Sequence, residues 1–312
     1  MRKRYYSFGE YLKETFAKKV YKVNVDAGFT CPNRDGTVGR GGCIYCNNDS
    51  FRPSSCNHQK SISEQIRNGI EYLKKRYKAK AFLVYFQPYT NTYANLDVLE
   101  RLYREALSNP DVIGLSIGTR PDCIDEDKLN LLKDLSKKHM IIVEYGLQSI
   151  YEKSLKYINR GHDYETFLKA VYATYEKGIL VGAHIIVGIP TETREESLAM
   201  ADEINRHPIR FLKIHQLQVI KNTPLAHIYE KDKFPVFEYE EYLDFVVDFL
   251  ERLSPEVVIQ RLFATSPEEI LIAPKWNHTK QEILRDIDKR LEERNACQGS
   301  KCSLNRHRAL CS

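Results

Sequence analysis

Short runs rich in β-branched and aromatic residues alternate with amphipathic stretches along most of the 312-residue chain. The runs fall at residues 20–25, 82–86, 112–117, 140–145, 180–187 and 211–219. They are nearly continuous in apolar residues, the pattern of parallel strands covered on both faces. Helices fit between them. Ser61 and Glu64 form a capping box ahead of Ile62, Ile66, Ile70 and Leu73, spaced for one helical face. Asp97 opens a stretch with Leu99, Leu102 and Ala106, and Asp125 one with Leu129, Leu132 and Leu135. Asp163 starts a longer helix, and Gly178 stands where a C′ glycine ends it. Strands alternating with helices make right-handed βαβ units and a parallel sheet.

Six such units are too few to close an eight-stranded barrel. The expected fold is α/β, a partial (β/α)6 TIM-like barrel, open, with a C-terminal α/β extension. The pattern loosens after the sixth strand, where 239–253 reads as a helix, 257–263 as a candidate seventh strand and 279–294 as a closing helix. The chain divides into a basic aromatic arm (1–19), the barrel (20–226), an extension at the substrate end (227–294) and a polar tail (295–312), which reads as mobile.

Composition adds little until the cysteines are reached. With 42% hydrophobic and 29% charged residues, the chain is ordinary for a globular protein. No apolar run is long enough to span a bilayer, and the N-terminus lacks the apolar core of a signal peptide. A soluble cytoplasmic protein without a membrane partner is expected. The net charge of +5 is modest but uneven, with Arg2, Lys3, Arg4, Lys18, Lys19 and Lys22 near the start and Arg306 and Arg308 near the end. Interleaved Tyr5, Tyr6, Tyr11 and Tyr21 suit either a surface that tracks phosphates and stacks on bases or an ordinary solvated face. Eight cysteines in a cytoplasmic chain point to metal or catalysis before disulfides.

Cys31, Cys43 and Cys46 lie in one loop after the first strand, CPNRDGTVGRGGCIYC. Asp35-Gly36 favours a tight turn, and Gly39, Gly41 and Gly42 let the backbone approach a cofactor. Three thiolates leave one iron of a four-iron cluster open to another ligand. The competing occupant is zinc, with Cys56 or His58 as a fourth ligand.

This loop resembles that of the radical S-adenosylmethionine (SAM) superfamily, in the YhcC/YtqA-type branch related to the elongator catalytic subunit. It departs from the superfamily's usual spacing, with eleven residues rather than three between the first two cysteines. The resemblance implies a [4Fe–4S] cluster on Cys31, Cys43 and Cys46 and a SAM site at the following strand ends. Tyr45 would pack near adenine. Gln87 is a candidate for the methionine amino group, and Thr119 and Arg120 form a turn beside the cofactor, where Asp122 reads equally as a capping residue. Glu144 or Gln148 would contact the ribose, and Arg160 is the arginine directed at SAM. Gly188 would let adenine lie against the fifth strand. His215 suits the substrate cavity or the core alike, and Trp276 suits base stacking or a plug. Arg261 lies on the candidate seventh strand.

The implied activity is reductive cleavage of SAM to a 5′-deoxyadenosyl radical, with an external electron donor such as a flavodoxin or ferredoxin. The implied substrate is tRNA, at a wobble-uridine side chain. The alternatives are a radical oxidoreductase acting on a small metabolite and a non-catalytic iron–sulfur or zinc protein. Cys297, Cys302 and Cys311 are too irregularly spaced to make a convincing auxiliary cluster.

Overall fold

The computed structural model describes residues 3–47 and 58–302. Among these, the strands are β1 (Val20–Val25), β2 (Ala81–Phe86), β3 (Val112–Thr119), β4 (Met140–Gln148), β5 (Leu180–Val187), β6 (Phe211–Gln216), β7 (Val219–Ile220), β8 (Val258–Arg261) and β9 (Leu271–Ala273). Seven of them form one parallel sheet in the order β1-β2-β3-β4-β5-β6-β8. The sheet curls into a half-barrel, so the candidate seventh strand is real. The sixth strand stops at Gln216, and Val219, the last residue of that apolar run, pairs antiparallel with Ala273 of β9 instead.

The helices are α1 (Phe8–Phe16), α2 (Pro32–Asp35), α3 (Ile62–Tyr77), α4 (Leu96–Leu107), α5 (Glu126–Ser136), α6 (Glu152–Tyr157), α7 (Tyr164–Glu176), α8 (Arg194–Ile204), α9 (Pro224–Lys231), α10 (Tyr239–Arg252) and α11 (Lys280–Glu293). Asp125 and Asp163 cap α5 and α7 by accepting from the backbone amides of Lys128 and Thr166. Ser61 caps α3, but Glu64 binds Lys60 at 2.8 Å rather than returning to the cap, so the box is half made. Asp97 lies in the first turn of α4, whose N-cap is Asn95.

Strand alternation sorts the sheet's two faces. Val23, Val84, Phe86, Leu115, Ile117, Val143, Val181, Ile185, Leu212 and Ile214 belong to the main core. The opposite face lines the barrel. At its floor a separate apolar cluster gathers Leu83, Ile142, Phe211 and Val258 under Tyr6, Phe8 and Leu12. Phe8 and Tyr11 set their rings edge-on to Phe211, at centroid distances of 5.4 and 5.1 Å.

The N-terminal segment is therefore part of the core. Tyr5 and Tyr6 are each only 3% exposed and are not available to stack on bases. Ser7 bridges Ile259 in parallel, and Tyr6 accepts from the Ile259 amide, extending the sheet past β8. Lys22, grouped with the basic arm by charge, turns inward toward Glu144. The beginning of the tail is equally packed. Gln298 is buried, accepts from the Tyr6 amide at 2.9 Å and donates to the Ser254 and Val257 carbonyls, both at 2.7 Å. Residues 295–302 thus lock the N-terminus to β8, while the rest of the tail lies outside the described residues.

Candidate active site

The cysteine loop is built by local turns and then clamped to the segment after α6. Cys31 precedes α2, and its carbonyl accepts from the Arg34 and Asp35 amides. Cys43 and Cys46 close a turn through a 3.0 Å backbone hydrogen bond. Asn33 donates to the Asn159 carbonyl at 2.7 Å, Asn159 donates to the Gly42 carbonyl at 2.9 Å, and the Ile44 amide reaches the Ile158 carbonyl. These bonds bring all three cysteines to one cavity of ≈ 1320 Å³, solvent at its mouth included, where the sheet's C-terminal ends converge.

Tyr45, Gln87, Thr119, Arg120, Glu144, Gln148 and Arg160 line the same cavity. Their immediate partners differ. Arg160 donates to the Gly146 carbonyl at 3.0 and 2.6 Å, and its third nitrogen lies 3.6 Å from the Cys43 sulfur. Asn33 also points a nitrogen at that sulfur, 3.7 Å away. A Cβ on Gly146 would stand 2.6 Å from the Gln148 amide and 2.7 Å from the Arg160 guanidinium, so glycine there lets both side chains cross the β4 backbone. Gln148 follows a break in the β4–β5 register and has φ +77°, an uncommon conformation for a non-glycine residue.

Arg120 forks onto both oxygens of Asp122, at 2.8 and 2.7 Å, and donates to the Arg160 carbonyl. Asp122 is thus an ion-pair partner rather than a helix cap. The Thr119 hydroxyl is shared with Thr92 at 2.6 Å. The polar run after β2 divides by task. Asn91 donates to the Phe86, Pro88 and Gly118 carbonyls and holds the loop, while Gln87, Tyr89 and Thr90 line the cavity.

Glu144 sits deeper and is fully engaged. One oxygen accepts from Ser116 at 2.5 Å, with Lys22 3.6 Å away. The other accepts from Lys213 and, at 2.8 Å, from Nε2 of His184. Burial opposes its charge, but Lys213 and Lys22, with the His184 hydrogen bond, hold its pKa well below the usual carboxylate value. Burial, and then Lys213, pushes His184 down to about 4, leaving a neutral ring that donates to Glu144. Lys213 also donates to the Tyr85 hydroxyl at 2.7 Å. With donors on both oxygens, Glu144 braces the interior while lining the cavity.

Gly188 does not border the cavity. It has φ +81°, and a Cβ there would stand 2.8 Å from the Phe237 ring, so the space above it is taken by a side chain preceding α10. Trp276 packs on Tyr242, with centroids 4.9 Å apart, and donates to the Phe237 carbonyl, which is the plug role. His215 faces the cavity, where Arg261 approaches its Nε2 at 3.3 Å. Of the zinc candidates, His58 is exposed and Cys56 lies outside the described residues. Among the tail cysteines, Cys297 is buried in the floor cluster, Cys302 lies 3.5 Å from the Asn205 amide, and Cys311 is outside the described residues.

The sequence reading passed over Arg34, Tyr85, Tyr89, His184 and Lys213, which all line the cavity. For Tyr85, His184 and Lys213 the signal was present: each interrupts an apolar strand at the parity of the inward face.

Residues 33–204 match the radical SAM superfamily and residues 209–293 the radical SAM C-terminal domain. YtqA of Bacillus subtilis is 36% identical over 297 residues, covering 95% of this chain and 92% of that protein. A tRNA uridine(34) acetyltransferase of Methanocaldococcus infernus is 31% identical over 149 residues, 47% of this chain and 27% of that one. The solved structure of Methanocaldococcus infernus Elp3 superposes with a TM-score of 0.70 at 20% identity, over 89% of this chain and 64% of that one, and so shares the fold. With its full-length relative and its family match over more than half its length, this chain belongs to the radical SAM superfamily of enzymes.

Proposed function

We propose that this protein cleaves SAM reductively at a [4Fe–4S] cluster held by Cys31, Cys43 and Cys46, and that it acts on tRNA at a uridine side chain. The observation that carries the first part is the convergence of the three cysteines on one cavity beside Arg160. The family uses this cluster together with SAM. The residues present fit the cluster. Burial, and then Cys43, pushes the Cys46 thiol up, with Cys31 adding to the same effect, because the three sulfurs lie close together. Arg160 and Asn33 aim N–H groups at the Cys43 sulfur, as expected around a thiolate ligand. When bound on these cysteines, the cluster would supply the electron that breaks the sulfonium bond of SAM.

The chain's own residues do the rest. Arg160, held by Gly146, places positive charge beside Cys43, and Arg120 fixes the Arg160 backbone. Tyr45, Gln87, Tyr89 and Gln148 line the mouth and offer the groups that orient SAM and exclude water.

The tRNA reading is supported by the uridine-modifying relative. A basic, aromatic ledge at the end of α3 adds to it. There Tyr72 and Tyr77 are 57% and 47% exposed, Arg76 lies over both rings, and Tyr77 stacks on Tyr21.

Anaerobically reconstituted protein is expected to be brown and to form 5′-deoxyadenosine from SAM with dithionite. A colourless protein without turnover overturns the first part. Nucleoside profiling of tRNA from a deletion strain is expected to show a missing uridine modification, and an unchanged profile overturns the second.

A further inference from the structure

Among the described residues, two of the cavity's cations are answered by carboxylates and two are held by backbone carbonyls beside the cysteines. Arg120 is paired with Asp122, and Lys213 with Glu144. Arg34 donates to the Cys46 carbonyl at 2.7 Å, and Arg160 to the Gly146 carbonyl and toward the Cys43 sulfur. Arg261 lines the same cavity from β8, and its hydrogen-bond partner is the Nε2 of His215. Among the described residues no carboxylate faces it. Arginine stays charged and can only donate. His215 therefore accepts at Nε2 and carries its proton on Nδ1. Burial, and then Arg261, keeps that ring neutral, so the imidazole does not answer the charge.

The lining as a whole carries Arg34, Arg120, Arg160, Lys213 and Arg261 against the single carboxylate of Glu144, whose oxygens are spent. A half-buried guanidinium facing a concave wall without a counter-ion is costly, and its fork matches a two-oxygen anion. Two pins hold the wall still. Gln216 exchanges hydrogen bonds with the Ala264 backbone at 2.8 and 3.0 Å, and Ser266 donates to Gln218 at 2.8 Å. This wall, made by β6 and β8, is built from different strands than the cysteine loop after β1.

We propose that Arg261 and His215 form a subsite for an anionic oxygen group, carboxylate or phosphate, on the molecule that receives the radical. Its role in turnover rests on the radical SAM reading of the cavity; its binding does not.

The test titrates the full chain, without reductant or SAM, with propionate, inorganic phosphate and propionamide by calorimetry at low salt. Propionate or phosphate is expected to bind at least tenfold more tightly than neutral propionamide, and the tighter of the two names the group. Arg261→Gln is expected to weaken that binding tenfold or more, and Arg261→Lys to restore part of it. In the wild-type chain, where folding is not at issue, the His215 ring nitrogens should shift on adding the anion. Equal binding of propionate and propionamide, unchanged affinity in Arg261→Gln, or an unmoved His215 overturns the subsite. Intact anion binding in a wild-type protein that never cleaves SAM removes the radical reading alone.

Discussion

Glu144 and Lys213 meet inside the barrel with 1% and 5% of their side chains exposed. The pair stands above an apolar floor and lines the cavity. Breaking such a pair leaves a buried charge without compensation, which costs about 3–5 kcal/mol. Glu144→Ala is expected to lose stability of that order in urea unfolding. Adding Lys213→Met to Glu144→Ala is expected to recover part of the loss, because the nearer of the two lysines left facing the site is then gone. Additive losses would contradict the pairing.

Acid is expected to weaken the fold between about pH 6.5 and pH 4. His184 titrates near 6.5 when unfolded and is pushed down to about 4 in the fold, chiefly by burial. The unfolded chain therefore binds the proton first, and stability falls as pH drops through that window. Glu144, also depressed, keeps its contribution above the ordinary carboxylate value and loses it at still lower pH. Urea midpoints at pH 7.5, 6 and 5 should fall in that order, with a shallower fall in His184→Gln.

Replacing Cys31, Cys43 or Cys46 singly with alanine should abolish both the brown colour and SAM cleavage, because each supplies a cluster ligand. Cys302→Ala should keep both, because Cys302 lies beside Asn205 and does not line the cavity. Absorbance of the reconstituted variants and 5′-deoxyadenosine yield read the outcome. Equal losses in Cys302→Ala would count against the three-cysteine site.

At Gly188 the expected effect is on stability. Alanine there meets the Phe237 ring and must also adopt a positive φ. The cost is about 1–3 kcal/mol, read by thermal melting, with partial recovery when Phe237→Leu is added. A variant of wild-type stability with weakened SAM binding would return Gly188 to the adenine site.

Phe8→Ala should destabilise the fold by about 3 kcal/mol in urea melts, as for other buried phenylalanines. Its ring meets Phe211 at the barrel floor and is 8% exposed. Unchanged tRNA affinity in the same variant is expected. A loss of tRNA affinity without a loss of stability would restore the nucleic-acid reading of the arm.

Much of this was legible in one dimension. Parallel strands buried on both faces must be apolar almost throughout, so β1 and β5 were found at their exact ends. Asp125 and Asp163 announced α5 and α7, because an N-cap acts within one turn of chain. The three cysteines fall within sixteen residues, so their common site is a local property and the resemblance could be read from it. Gln87, Arg120, Gln148 and Arg160 were expected at the cavity from the family resemblance, and they line it.

What the sequence could not decide are relationships between residues far apart along the chain. Lys22 looks like one more charge in a basic arm until β1 and β4 face each other across the barrel and bring it to Glu144. Tyr5 and Tyr6 look like stacking residues until β8 and residues 295–302 enclose them. At Gly188 only the fold brings Phe237 to within 2.8 Å of where a Cβ would stand. Local hydrogen bonding and periodicity thus determined the elements and the cluster loop, because they act over a few residues. Tertiary structure decided which charges are partnered, which aromatics are buried and which arginine faces an open wall, because burial and Coulomb forces depend on distances that only the folded chain sets.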